Sequence, residues 1–214
     1  MKRRFLGQLL ASLTLAAMGL ALTGGARAAD EAPDVMIKRL SEDVIGAIKA
    51  DKTLQTGDIS RVIALVDSKI MPNVNFQRMT ASAVGPAWRQ ATPEQKKQLQ
   101  DEFKTLLVRT YAGALAQVND QSISVKPLRA DAADTEVIVR TEVRGRGDPI
   151  QLDYRLEKTP GQGTGWKIFN LNVLGVWLME TYRSQFAQEI NAKGVDGLIA
   201  TLSARNKSNS AKKG

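Results

Sequence analysis

Hydrophobic positions recur along this chain with two periods, and the switches between them divide it into three parts. From Asp34 to about Val118 the spacing is helical. Ile37, Leu40, Val44 and Ile48 fall on one stripe, with Ser41 and Ile45 beside it. Gly57-Asp58 supplies a break and a cap. Ile59, Val62, Ile63, Val66 and Ile70 then make a second amphipathic helix, which Met71-Pro72 ends. Asn73 or Asn75 caps a short third helix carrying Phe76, Met79 and Ala83, and Gly85-Pro86 stops it. Thr92-Pro93-Glu94-Gln95 is a strong start for the longest helix, which runs to about Gln117. Thr92 caps, Pro93 loses no hydrogen bond at the first helical position, and Gln95 completes a capping box. The apolar positions from Leu99 to Val118 form a stripe wide enough to meet neighbours on two sides.

After Asn119-Asp120 the period becomes two. Ile123 and Val125 oppose Ser122 and Ser124. Val137, Val139, Thr141 and Val143 oppose Glu136, Arg140, Glu142 and Arg144. Ile150, Leu152, Tyr154 and Leu156 oppose Gln151, Asp153, Arg155 and Glu157. Phe169, Leu171 and Val173 fall on one side of a fourth strand beginning at Trp166. Turn-forming runs separate the four, among them Gly161-Gln162-Gly163-Thr164-Gly165. The pattern predicts a four-stranded antiparallel meander with one apolar face and one charged, wet face. At Gly175 the period turns helical again, with Leu178, Tyr182, Phe186 and Ile190 on one face to about Ala192. Gly194 breaks that helix, and Val195, Leu198, Ile199 and Leu202 mark a last one. The stretch Trp166–Phe186 thus passes directly from strand to apolar-faced helix, building a wall and a lid from one segment. The class is α+β, a curled sheet with helices over one face.

The first residues stand apart from this body. Lys2, Arg3 and Arg4 precede an apolar run from Phe5 to Thr23, and Ala26-Arg27-Ala28 offers a signal-peptidase site. Residues 1–28 read as a secretory signal cut before Ala29, which places the mature protein in the periplasm. Residues 29–204 form one domain, helical over about 34–118 and 174–204 with the sheet over about 121–173. Residues 205–214 read as a basic, solvated tail. The 214 residues carry 30 Lys and Arg against 22 Asp and Glu, a net charge of +8. Eight of the basic residues lie in the signal and tail, so the body is formally neutral. A nucleic-acid binder would carry positive charge on its folded surface instead.

The chain has no His and no Cys. That excludes Ser-His-Asp and Cys-His nucleophiles, imidazole or thiolate metal sites, and disulfides. Asp101-Glu102 and Asp131 with Asp134 are the nearest acidic groupings, and both read as solvated positions; no metal and no catalytic residue is assigned. The glycine-rich loop at 161–165 joins two strands and opens no helix, so it is a hairpin rather than a phosphate loop. Asp153 and Glu142 fall on the wet face, away from any interior chemistry. What remains is a large inward apolar set without ionisable groups, suited to a greasy ligand held by area at roughly 25 cal/mol per Å2.

Several segments resemble the MlaC family of periplasmic phospholipid-binding proteins: Ile70-Met71-Pro72 with Phe76 and Arg78-Met79-Thr80; Gly85 with Trp88-Arg89; Ala91-Thr92-Pro93-Glu94-Gln95; Phe103 with Leu106-Leu107; and Arg109-Thr110-Tyr111. Gly175-Val176, Thr181-Tyr182-Arg183 with Phe186, and Gly197-Leu198-Ile199 fit as well. The resemblance implies a sheet like that of nuclear transport factor 2 with a helical subdomain. It implies a pocket for phospholipid tails, with the lipid as cargo and no cofactor. It also implies docking to an inner-membrane ABC transporter with MCE-domain subunits and to an outer-membrane lipoprotein–porin complex. On this reading Val139, Tyr154, Leu156, Phe169 and Val173 form the floor. Phe103, Leu107 and Tyr111, with Val176 and Tyr182, form the walls. Leu174 and Trp177 depart from the polar and small residues the family usually shows there, which implies a mouth of different shape. Two other readings stay open on the residues alone. One is an isomerase or hydrolase on the same scaffold, which needs an ionisable group inside. The other is a solid module that only bridges complexes.

Overall fold

The computed structural model describes residues 31–118, 120–131 and 133–211; the expected signal segment lies outside them. Helix α1 spans Pro33–Ala50, one residue earlier than Asp34, because Pro33 takes the first helical position. A single turn, α2 (Lys52–Gln55), is capped by Asp51, and α3 (Ile59–Leu65) by Asp58, whose carboxylate accepts from the Arg61 amide. The second amphipathic helix is therefore not one α-helix to Ile70: it passes into a π turn at Val66–Ile70 and a 3-10 turn at Met71–Asn73. Asn75 caps α4 (Phe76–Val84), and Thr92 and Gln95 form the expected capping box on α5 (Pro93–Ala116).

The strands are β1 (Ser122–Val125), β2 (Glu136–Arg144), β3 (Ile150–Lys158), β4 (Trp166–Val173) and β5 (Val176–Trp177), ordered β1-β2-β3-β4-β5 and antiparallel throughout. The fifth, of two residues, adds to the expected four. Helix α6 (Leu178–Ala211) follows it at once and bends at Gly194, where φ is 72° and ψ −174°. The expected solvated tail is corrected here. The helix runs seven residues past Ala204, and buried Asn206 donates to the Glu102 carbonyl at 2.9 Å and its carboxylate at 2.6 Å. Among the described residues no helix is long and apolar enough to cross a membrane.

Register sets the faces. Val137 pairs with Leu156, Val139 with Tyr154 and Thr141 with Leu152, so one face is continuous and apolar across β2 and β3. Between β3 and β4 the register slips: Leu156 pairs with Ile168, but Arg155 pairs with Asn170. Phe169 is the extra residue of this bulge, so it does not share a simple alternation with Leu171 and Val173 as the sequence pattern implied.

The buried residues form three clusters. In the first, α4, α5 and α6 gather around Phe103, whose ring meets Tyr182 edge-on at 4.9 Å and Phe186 at 5.2 Å; Phe169 is its contribution from the sheet. In the second, Met36, Ile37 and Leu40 of α1 cover Val137, Val139, Leu156 and Ile168. In the third, the end of α1 and α2–α3 pack on Val108 and Ala112 of α5. Helix α5 serves the first and third clusters through different faces, as its wide stripe predicts. The charged sheet face is less wet than expected. Asp153 is only 8% exposed, and Asn170 and Asn172 are buried beside it. Trp177 of β5 pairs with Asn172 and so ends the cross-strand row that Arg140, Asp153 and Asn172 form.

Candidate functional site

Around the clusters several apolar side chains are only half-buried. On α5 these are Leu107, Tyr111 and Leu115, spaced four apart and therefore one stripe. This stripe lies between the helix face that carries Phe103 and the face that carries Ala112. From the sheet come Leu152, Leu171 and Val173, joined by register since Leu152 pairs with Val173 and Tyr154 with Leu171. Leu107, Tyr111, Leu171 and Val173 all pack against the first cluster. Val44 borders both the second and third clusters, and Ile63 and Val66 border the third. A single close-packed core would leave such positions fully covered. These half-buried aliphatic and aromatic positions, the seam, are apolar surface that the protein's own packing leaves partly uncovered.

Three tyrosine hydroxyls lie among or beside these positions. Burial pushes the Tyr154 phenol above its usual range, opposed by hydrogen bonding with Ser41 of α1 and Thr141 of β2. Burial likewise raises Tyr182, with Tyr111 adding to the shift and a hydrogen bond with Thr110 opposing it, and burial alone raises Tyr111. These phenols stay neutral at any physiological pH and act as hydrogen-bonding handles on an apolar wall.

The expected site residues divide. Leu107, Tyr111, Tyr154 and Val173 keep free surface on the seam. Phe103, Val139 and Leu156 are covered entirely by the protein's own atoms; Phe169 and Tyr182 are nearly so, inside the first cluster. Val176 stands out in solvent beyond the end of β4. Leu115, Leu152, Leu171, Val44, Ile63 and Val66 are half-buried in the same way but were not among the expected residues. Each was legible as an apolar stripe position, but which stripe edges stay unclosed depends on the distance between layers. Trp177 does not narrow the seam: it lies on the opposite face, with the Arg155 guanidinium 4.0 Å from its ring centroid.

Asp153, buried contrary to expectation, shares its row with Arg140 and Asn172 rather than with Leu152 and Val173. Its carboxylate lies 3.9 Å from the Arg140 guanidinium and within 3.5 Å of the Gln151 amide, so it faces a cation and not the seam. Among the described residues no group of three or more acidic side chains is placed to hold a metal. A separate surface pocket of about 340 Å3 opens at the start of α4, lined by Val74, Asn75, Phe76, Gln77, Thr159, Gln162 and Lys167. Five of those seven are polar, so its chemistry differs from the seam's.

A solved structure of the phospholipid-binding protein from Ralstonia solanacearum, in complex with a phospholipid, superposes with a TM-score of 0.79. It is 48% identical and covers 83% of this chain and 98% of its own. The toluene tolerance protein ttg2D of Pseudomonas putida is 27% identical over 169 residues, 78% of this chain and 77% of that one. The intermembrane phospholipid transport system binding protein MlaC of Haemophilus influenzae is 22% identical over 176 residues, 81% of this chain and 82% of that one. The family model for the MlaC protein matches residues 38–204, all but the first turn of α1 and the last turns of α6, and the chain belongs to the MlaC family.

Proposed function

We propose that this protein is a non-enzymatic phospholipid carrier that holds acyl chains along the seam between its helices and its sheet. The observation that carries the proposal is its likeness, at 48% identity over 83% of the chain, to a protein whose structure contains a phospholipid. The seam supports it chemically. Leu107, Tyr111, Leu171 and Val173 offer apolar surface with hydroxyls and no charges, which fits hydrocarbon and leaves a headgroup to solvent. The secretory signal read at residues 1–28 puts the carrier in the periplasm. Family resemblance supplies its partners: an inner-membrane ABC transporter with MCE-domain subunits and an outer-membrane lipoprotein–porin complex, between which it would move lipid to maintain outer-membrane asymmetry.

The energetics shape the test. Each buried methylene contributes about 0.8 kcal/mol, so one long acyl chain contributes on the order of 10 kcal/mol. Such a ligand does not leave on its own during purification, and release requires contact with an acceptor or parting of the layers. Organic extraction of the purified periplasmic protein followed by mass spectrometry should return phospholipid at near-stoichiometric amounts. Val173→Asp, which sets a carboxylate on the seam, should lower that occupancy at least tenfold. Wild-type protein prepared without detergent and free of phospholipid would sink the proposal.

A further inference from the structure

Four large hydrophobic side chains stand exposed among the described residues, and three of them lie at one end of the sheet: Leu174 at 64%, Val176 at 51% and Ile150 at 43%. Val176 pairs with Val173 across the β4–β5 turn. The Leu174 amide donates to the Gln151 carbonyl at 3.0 Å, one residue from Ile150. Leu174-Gly175 is a two-residue hairpin loop in which both φ angles are positive, 52° and 88°. That turn suits Asn-Gly or Gly-Gly, and a bulky aliphatic residue rarely adopts it. The turn is pinned by the Gly175 amide, which donates to the Asn172 side-chain oxygen at 2.8 Å. A leucine is thus held in a disfavoured conformation with its side chain in water, where it adds nothing to the packing of this chain. The apex Leu174–Gly175–Val176 carries no polar side chain, and through Val173 it continues into the seam.

We propose that this tip is the surface through which the protein touches a phospholipid bilayer, with Leu174 and Ile150 entering the interfacial layer while lipid passes at the Val173 end of the seam. The proposal rests on the carrier reading above. Size selects the bilayer over a protein partner. Three side chains fall well short of the roughly 800 Å2 per partner that a stable protein interface covers, whereas shallow, reversible membrane contact scales with apolar area alone. The cations at the rim are paired: Arg146 with Asp120 at 3.2 Å, and Arg144 and Lys126 with Glu142 at 2.8 and 2.7 Å. Association should therefore depend little on salt.

Leu174→Asn separates this role from folding, since asparagine tolerates the left-handed region that leucine resists. The variant should unfold at the same urea concentration as wild type or higher and keep its extracted phospholipid. It should associate and exchange lipid with mixed phosphatidylethanolamine–phosphatidylglycerol vesicles about tenfold less, the scale of one leucine withdrawn from an apolar phase. Ile150→Thr, which keeps a β-branched residue in the strand, should shift exchange in the same direction. Wild-type exchange rates in Leu174→Asn would overturn the proposal. So would loss of bound lipid, which would make the tip part of the binding site, or a defect seen only with membranes that contain partner complexes, which would make it a protein-docking surface. Wild-type protein devoid of lipid would end the carrier reading itself, a different result from any of these.

Discussion

Arg78 holds α4 to the sheet by three contacts at once. Its guanidinium donates to Glu157 at 2.5 Å and to Glu136 at 2.6 Å, and it lies 3.6 Å from the centroid of the Phe169 ring. Asn75, which caps α4 through its side-chain oxygen, donates its amide to the other oxygen of Glu157 at 2.5 Å. Cap, cation and bulged aromatic therefore form one unit. Arg78→Ala would leave the half-buried Glu157 carboxylate short of a charged partner and uncover Phe169. The expected loss is about 2 kcal/mol, summing a charge-assisted hydrogen bond and a cation–π contact. Arg78→Lys, which keeps the charge but cannot reach both carboxylates, should fall between. Urea unfolding at neutral pH measures both, and an unchanged midpoint in Arg78→Ala would refute the bridging role. At this scale the sequence was legible wherever a residue acts on its own backbone. The Thr92–Gln95 box and the Asp58 and Asn75 caps follow from residue type and position. Arg78 and Asp153 were not: the bulge at Phe169 that sets what faces Arg78 leaves no periodic trace, and alternation gives the face of Asp153 but not its burial.

At the level of elements, glycine position separates shape from mere composition. Gly194 sits at φ 72°, ψ −174° inside α6, and a Cβ there would meet nothing within 4 Å. The cost of Gly194→Ala is then backbone strain alone, about 1–3 kcal/mol, or else the bend straightens and the contacts of Leu198 and Leu202 with the first cluster are lost. Gly46 lies inside α1 with equally open space and no positive φ. Gly46→Ala should stabilise by about 0.5–1 kcal/mol, since glycine in a helix interior sacrifices more chain entropy than alanine. The same substitution thus carries opposite signs at two helical sites, and thermal melts of the two variants test the pair together. A Gly194→Ala variant that melts at or above wild type would mean that the Gly194 bend carries no strain, and a Gly46→Ala variant that melts lower would refute the entropy argument at Gly46. Gly194 was readable as a break because apolar spacing changes phase across it. The π turn after α3 was not, since Ile59, Val62, Ile63 and Val66 face the third cluster and their spacing reads as an ordinary helix.

Across the whole molecule, the buried residues fall into three apolar clusters with half-buried apolar positions at their borders. Helix and strand identities, and therefore the α+β class, were written in the periodicities. Which apolar positions stay half-buried was not, because that depends on how the helices pack on the sheet, and such packing has no local signature. Stability also draws on carboxylates with cationic or hydrogen-bonding partners. Hydrogen bonding from Arg39 lowers Glu31, Lys126 and then Arg144 lower Glu142, and Thr201 with Lys193 lowers Glu189. Burial works against ionisation of Glu180, yet hydrogen bonds from Asn170 and Arg155 outweigh it and the net shift is downward. Each group binds its proton more weakly folded than unfolded. Above the unfolded carboxylate range, near pH 4.3, the stability they contribute is fully present. As pH falls through that range the unfolded chain takes up protons that the folded chain refuses, and stability declines toward the lower folded values. The chain has no histidine, so no ordinary side chain titrates between pH 5 and 8. The urea midpoint should therefore be flat from about pH 5 to 8 and fall steadily below about pH 4. Urea titrations across that range test the sign directly, because a midpoint that rose on acidification would require carboxyls held protonated in the folded state, the reverse of the arrangement around Glu31, Glu142, Glu180 and Glu189.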